Sequence, residues 1–244
     1  MMEASHSVPE GWGICPQTIP IYPICMLLAF AAGFAVYRYN TRGSNPHSGH
    51  LLPIVLAAFF GGLIGAKLPV VLMNLRYGIS WETLLAGRTI VGGLLGGTLG
   101  VLLIKKKLGI RGRYGNLLAA PIALGMAVGR IGCLFHGCCF GNPTTLPWGI
   151  DFGDGILRHP TQAYEMLFCL FAFGLLQRAR NNAPPGSLLT RFFLAYFIFR
   201  FLEEFIRPHP IYFGLTPFQW ICIAGTLILL VKANFMKPSE KIPC

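Results

Sequence analysis

The chain has 244 residues, of which 54% are hydrophobic and only 12% charged, and its mean hydropathy is +0.58. Soluble domains carry about 25% charged residues, so this composition excludes an ordinary water-facing surface. The formal net charge of +11 does not point to nucleic acid, because the basic residues stand in short clusters between apolar runs, the pattern of a membrane topology signal.

Residues 1–18 lack a basic leader and read as an outer amino-terminal segment, with the apolar run after Pro20 as a retained span. Seven membrane-spanning helices are predicted, over 19–37, 51–75, 89–104, 115–135, 163–177, 188–205 and 216–233. A span needs about 20 residues, so the third and fifth require tilt or local bilayer thinning. With the amino terminus outside, the inner loops and tail hold Arg38, Arg42, Lys105, Lys106, Lys107, Arg111, Arg113, Arg178, Arg180, Arg191, Lys232, Lys237 and Lys241. The outer loops hold only Arg76, Arg88, Arg158 and Arg207. This bias places the amino terminus outside and the carboxyl terminus in the cytoplasm. The expected architecture is an all-α integral membrane protein, a single transmembrane domain over 1–244. In it 136–162 is an outer loop and 234–244 a cytoplasmic tail.

Glycines at 61, 62 and 65, and at 92, 93, 96, 97 and 100, give the second and third spans small-residue faces for close helix packing. At the end of the fourth span stands Gly129-Arg130-Ile131-Gly132. An ionisable residue inside a membrane is a functional candidate by default, and the flanking glycines leave backbone open to a ligand. Next come Cys133, His136, Cys138 and Cys139, ligand types that suit zinc or copper. Their spacing lacks a paired C-x-x-C, and adjacent cysteines seldom share one metal, so no metal and no cofactor is expected. Disulfides in an oxidising compartment, with Cys15 as a possible partner, remain open for these thiols. So do a catalytic or redox role and inert packing. Cys25, Cys169 and Cys222 lie inside apolar runs and read as small hydrophobic side chains.

The segment from Arg158 to Glu165 opens the fifth span. Pro160 fits its first turn, and a carboxylate at Glu165 is favoured by the helix dipole. His159, Gln162 and Tyr164 exceed what capping needs. In the sixth span Arg200, Glu204 and Arg207 fall on one face by helical spacing. They form either a structural ion-pair ladder or an anionic headgroup site, since arginine's planar fork donates two parallel bonds to phosphate.

These motifs, with Gly141, Gly-Gly-x-x-Gly-Gly from Gly92 and the segment Gly214 to Gln219, resemble the prolipoprotein diacylglyceryl transferases. The resemblance runs from about residue 20 to 230. It implies a seven-helix transferase of lipoprotein biosynthesis in the bacterial inner membrane. Such an enzyme moves the diacylglyceryl group of phosphatidylglycerol, or a related anionic phospholipid, onto the lipobox cysteine of a prelipoprotein. A thioether forms and glycerol phosphate leaves. By resemblance Arg130 and Arg200 match the family's functional arginines and Glu204 its acidic partner.

The expected site is Arg200, Glu204 and His136 as catalytic residues, with Arg130, Gly141 and Arg207 on the phospholipid. His159, Gln162, Tyr164 and Glu165 lie behind them. Cys133 stands where the family usually has asparagine, His136-Gly137-Cys138 replaces its Asn-Gly-Glu, and Val91 replaces its functional histidine. Tyr22 only approximates a family tyrosine, which falls near Pro23. His136 is a candidate substitute base, because histidine titrates near pH ~6.5. These departures leave two alternatives open: a phospholipid-using transferase with another acceptor, and a non-catalytic lipid, thiol or metal binding or transport protein.

Overall fold

A computed structural model of the chain describes residues 21–42, 51–74, 89–110 and 114–235. The outer segment 1–18 with Cys15, the residues Arg76, Arg88, Arg111 and Arg113, and the tail beyond Phe235 lie outside the described residues. Among the described residues there are seven α-helices. They are α1 (Ile21–Asn40), α2 (Leu51–Asn74), α3 (Ile90–Lys107), α4 (Gly115–His136), α5 (Thr161–Ala179), α6 (Ser187–Glu203) and α7 (Pro217–Phe235). A hairpin of β1 (Ile150–Asp151) and β2 (Leu157–Arg158) interrupts the loop between α4 and α5. It is antiparallel, with Ile150 opposite Arg158 and Asp151 opposite Leu157.

Two helices, α1 and α4, are long and apolar enough to cross a membrane, and α2 and α7 contain shorter apolar stretches, Pro53–Pro69 and Pro217–Val231. Large apolar side chains stand exposed along the helices, among them Leu27, Phe34, Leu167, Phe171, Leu202 and Ile228. Soluble monomers rarely expose apolar surface on that scale. The fold is that of a mostly helical protein with the surface of a membrane protein.

Helix boundaries differ from the sequence expectation in informative ways. The third helix has 18 residues, about 27 Å at 1.5 Å per residue. The extra length is Lys105, Lys106 and Lys107 in the last turn, where cations favour the carbonyl end of the dipole. Pro160 caps α5 from outside, and Thr161 is the first helical residue. The sixth helix stops at Glu203, and Glu204–Ile206 form a single 3-10 turn. The 3.6-residue spacing that would align residues 200, 204 and 207 therefore does not run through to Arg207.

The described residues gather into two compact units. The first holds α1, α4, α5, the loop with the hairpin, the start of α6 and residues 202–209. Within it α4 packs against both α1 and α5, presenting small buried residues Ala119, Ala120, Ala123 and Ala127. A Cβ at Gly132 would lie 2.7 Å from the Cβ of Cys25, so the missing side chain is what lets α1 approach. At the other end Asn40 and Gln177 exchange amide hydrogen bonds of 3.3 and 2.7 Å. Arg180 Nη1 adds one to the Asn40 carbonyl at 2.8 Å.

The second unit holds α2, α3, residues 193–201 of α6 and α7. Here α2 and α3 meet through their glycines. A Cβ on Gly96 would lie 2.7 Å from the Cα of Gly65, and one on Gly62 would sit 3.6 Å from the Gly93 carbonyl oxygen. Thr89 caps α3 by accepting from the Gly92 amide at 3.2 Å, and its own amide donates to the Ala66 carbonyl at 2.9 Å.

Overpacking a close contact costs about 1–3 kcal/mol. Gly96→Ala is therefore expected to lower the Tm of the detergent-solubilised protein by several degrees. Gly174→Ala, where an added Cβ meets nothing within 4 Å, should leave it unchanged or slightly raised. Equal Tm values for the two variants would refute the close-packing account.

Candidate functional site

The first unit concentrates charge at the end of α4. Arg130 is 5% exposed, and its Nη2 pairs with Oε2 of Glu165, a fully buried carboxylate in the second turn of α5. The same carboxylate oxygen lies 3.7 Å from Arg207 Nη2. Arg207 also reaches Oε2 of Glu203 at 3.4 Å. Two arginines and two carboxylates thus form one buried chain of alternating sign, Arg130–Glu165–Arg207–Glu203. Removing one member of a buried ion pair costs about 3–5 kcal/mol, because the partner charge is left uncompensated. Two polar atoms here, Arg207 Nε and Gln162 Oε1, are buried with no hydrogen-bond partner among the described residues. Buried polar groups are normally satisfied, so this corner has unused capacity for a polar ligand.

The cysteine loop is shaped by the end of the same helix. Gly137 adopts φ 71°, the left-handed conformation. The Gly137 amide donates to the Leu134 carbonyl at 3.2 Å, and the Cys138 amide donates to the Cys133 carbonyl at 3.2 Å. This is the Schellman pair of bonds that closes many helices, and it normally brings the residues at its two ends into contact. Here those residues are both cysteines. Cys139 then takes φ 67°, a conformation costly for a residue with a Cβ. The strain is held by Gln162 Nε2 donating to the Cys138 carbonyl at 2.5 Å and Thr161 Oγ1 donating to the Cys139 carbonyl at 2.5 Å. As a result the sulfurs of Cys133, Cys138 and Cys139 all lie within 4.8 Å of one another. The fold thus brings together three sulfurs that the linear spacing sets apart.

Arg130 Nη1 stands 3.9 Å from Cys133 Sγ. Hydrogen bonds from the Cys133 and Cys138 thiols hold the Cys139 thiol well below the ordinary thiol range, with Arg130 and Arg207 helping. The Cys138 thiol is pushed up by its hydrogen bonds with Cys133 and Cys139 and by burial.

The remaining site residues fall in three places. Gly141 locks the loop onto the turn that carries Arg207. Its amide donates to the His159 carbonyl at 2.8 Å, and the next amide, of Asn142, donates to the Ile206 carbonyl at 2.7 Å. A Cβ at Gly141 would lie 2.6 Å from that carbonyl oxygen and 2.8 Å from the Cβ of His159. Tyr164 Oη accepts from Trp148 Nε1 at 2.8 Å and lies 3.3 Å from His159 Nδ1. His136 is exposed at the end of α4, its ring centre 5.5 Å from that of Tyr22. Glu204 pairs through Oε1 with His209 Nδ1 at 2.6 Å. In the second unit Arg200 is buried, its guanidinium 5.8 Å from the centre of the Phe218 ring. Val91 is buried there at the start of α3.

Two residues of the charge network, Glu203 and His209, were not singled out from sequence. Glu203 stands four residues before Arg207, the ordinary spacing of a helical ion pair, and that signal was available. His209 follows a proline outside any helix, so no periodicity announces it.

The prolipoprotein diacylglyceryl transferase family model matches residues 9–233 of the chain. The chain belongs to this family. A phosphatidylglycerol–prolipoprotein diacylglyceryl transferase of Bordetella avium is 30% identical over 257 residues, covering 95% of this chain and 96% of the relative. Proteins of the same name from Clostridium tetani and Solidesulfovibrio magneticus are 32% and 31% identical. They cover 71% and 91% of the chain, and 74% and 90% of their own lengths. The resemblance read from the Arg130 motif is thereby established, and the protein is a transferase.

Glu165→Ala is expected to destabilise the protein by about 3–5 kcal/mol, while Glu165→Gln, which keeps the shape and one acceptor, should lose less. Chemical denaturation of both variants checks this. A Glu165→Ala protein as stable as the parent would show that the Arg130–Glu165–Arg207 chain is not a structural tie.

Proposed function

We propose that this transferase moves the diacylglyceryl group of phosphatidylglycerol onto the cysteine thiol of a prolipoprotein, in the bacterial inner membrane. The reading takes the seven helices as seven spans, with the amino terminus outside and the carboxyl terminus in the cytoplasm. The 136–162 loop then faces outward, where a secreted lipoprotein precursor presents its cysteine. The observation that carries the proposal is the buried pair of arginines, Arg130 and Arg207, sharing the single carboxylate Glu165.

The chemistry asks for this kind of site. A thiolate attacks an sp³ carbon of the glyceryl unit, the carbon–oxygen bond breaks, and the electron pair leaves on a phosphate. Negative charge grows on that phosphate in the transition state. Preorganised cations in a dry site stabilise it there, often the largest single term in catalysis. Arg130 and Arg207 supply the charge from two different segments, and Glu165 holds their forks in place. Arg200 and Glu204 are further participants by family resemblance, and Gly141 permits the loop to seat against the Arg207 turn. Gln162 and Thr161 hold the loop's carbonyls, while His159 and Tyr164 brace the hairpin side. His136 is the candidate proton acceptor.

One observation favours a second reading, a phospholipid donor with a different acceptor. The family histidine is replaced by Val91, which is apolar and 2% exposed and cannot take a proton. Intact-lipid mass spectrometry of cells with and without the protein would then show a changed lipid class rather than changed lipoproteins.

The direct test is transfer from labelled phosphatidylglycerol to a lipobox peptide by the purified protein. Thioether product is expected, with Arg130→Ala and Arg207→Ala each lowering kcat about 10²–10³-fold. No product, under conditions where the Bordetella avium relative is active, would overturn the reading.

A further inference from the structure

We propose that Cys133, Cys138 and Cys139 form a three-thiolate zinc site whose open fourth position binds and activates the acceptor thiol. The inference rests on the transferase reading above and deepens it.

The first support is geometric. The three sulfurs lie within 4.8 Å of one another. Zinc bound to thiolates at about 2.3 Å in tetrahedral geometry places sulfurs about 3.8 Å apart. Closing the present cluster onto a metal therefore takes movements of an ångström or less. A disulfide would use two of these sulfurs and leave the third without a purpose. Yet the chain accepts a left-handed backbone at Cys139 and fastens both adjacent carbonyls to α5. Those features turn a third thiol toward the other two.

The second support is what surrounds the cluster. Zinc with three thiolates carries one net negative charge, and Arg130 Nη1 already approaches Cys133 Sγ at 3.9 Å. Donors to ligating sulfurs orient them and tune the metal. Cys139 is exposed, while Cys133 and Cys138 are half-buried, so one side of the cluster is open to an incoming ligand. Three protein ligands with a fourth position left for substrate is the arrangement of catalytic rather than structural zinc. Among the described residues no histidine or carboxylate joins the three sulfurs as a fourth ligand.

The third support is chemical need. The acceptor thiol has a free pKa near 8.5 and reacts as thiolate, but the family's histidine is Val91 here. A thiol bound to zinc is deprotonated outright. The acceptor binds the metal as its proton passes to solvent. The zinc-held sulfur then forms the bond to the glyceryl carbon while the carbon–oxygen bond breaks. The electron pair leaves with glycerol phosphate, held by Arg130 and Arg207. The thioether product, a weak neutral ligand, dissociates. No oxidation or reduction occurs.

The test uses the full-length protein in detergent, stripped with a chelator and reloaded with zinc alone. One zinc per chain is expected, with X-ray absorption showing three sulfurs near ~2.3 Å. Adding a lipobox peptide should raise the sulfur count from three to four, and a peptide with serine for cysteine should not. Cys138→Ser and Cys139→Ser should each weaken zinc binding at least tenfold. Full transfer by the metal-free protein would overturn the inference and leave the transferase reading standing. So would zinc binding with no fourth sulfur, or exclusive three-sulfur binding of Cu(I) with zinc rejected. A Cys133–Cys138 disulfide in protein whose thiols were trapped before purification would overturn it too. A fourth sulfur without any transfer from phosphatidylglycerol would support the metal site and count against that lipid as donor.

Discussion

Charge neutralisation at the end of α4 is the constraint on which the site depends. Ionised groups cost several kcal/mol each to bury, and the chain buries four of them in one place. It can do so only because Arg130, Glu165, Arg207 and Glu203 alternate in sign, with contacts of 3.4 and 3.7 Å along the Arg207 arm. Each charge comes from a different stretch of the first unit or from the end of α6, so the network also fixes how those stretches meet. Glu165 is central in this respect, since one of its oxygens serves both arginines.

Such a network is poised to exchange partners. An incoming phosphate diester brings one negative charge and several acceptors to a site whose cations are already compensated. It can compete for the arginines only where they retain donors, and Arg207 Nε is such a donor. On the proposed reading, the carboxylates keep the guanidinium groups aimed at the position a phosphate would take. Backbone shape supports the same end. Gly141 gives up its side chain so that the loop can lie against the Ile206 carbonyl, one residue before Arg207.

Most of the helical plan was legible in the sequence, because apolar runs bounded by basic clusters follow directly from the thickness of a bilayer. The seven predicted segments each correspond to a described helix, and the family was readable from motifs around Arg130, Gln162 and Arg200. The finer site was less legible. The expected alignment of Arg200, Glu204 and Arg207 assumed an unbroken helix, but α6 gives way to a 3-10 turn at Glu204. Arg207 instead pairs with Glu203, four residues back, while Glu204 pairs with His209. The closeness of the three cysteine sulfurs was hidden for a related reason. Linear spacing cannot register that a left-handed glycine at 137 folds residue 138 back over residue 133.

The thiols and the arginines are best understood as one design. Cys133 lies one helical turn beyond Arg130 and within reach of its fork, while Gln162 and Thr161 at the start of α5 hold Cys138 and Cys139. Glu165, one turn further along α5, holds Arg130. The same two helices therefore set the position of Arg130 and of the sulfur cluster. On the proposed reading, the register between α4 and α5 keeps the group that handles the nucleophile and Arg130, which handles the leaving group, at a fixed separation. Displacement at carbon requires that arrangement, because the entering sulfur and the departing oxygen must lie on opposite sides of one atom. On the proposed zinc reading, the clustering of three cysteines in this loop sets which group meets the acceptor. The α4–α5 register lines the two groups up.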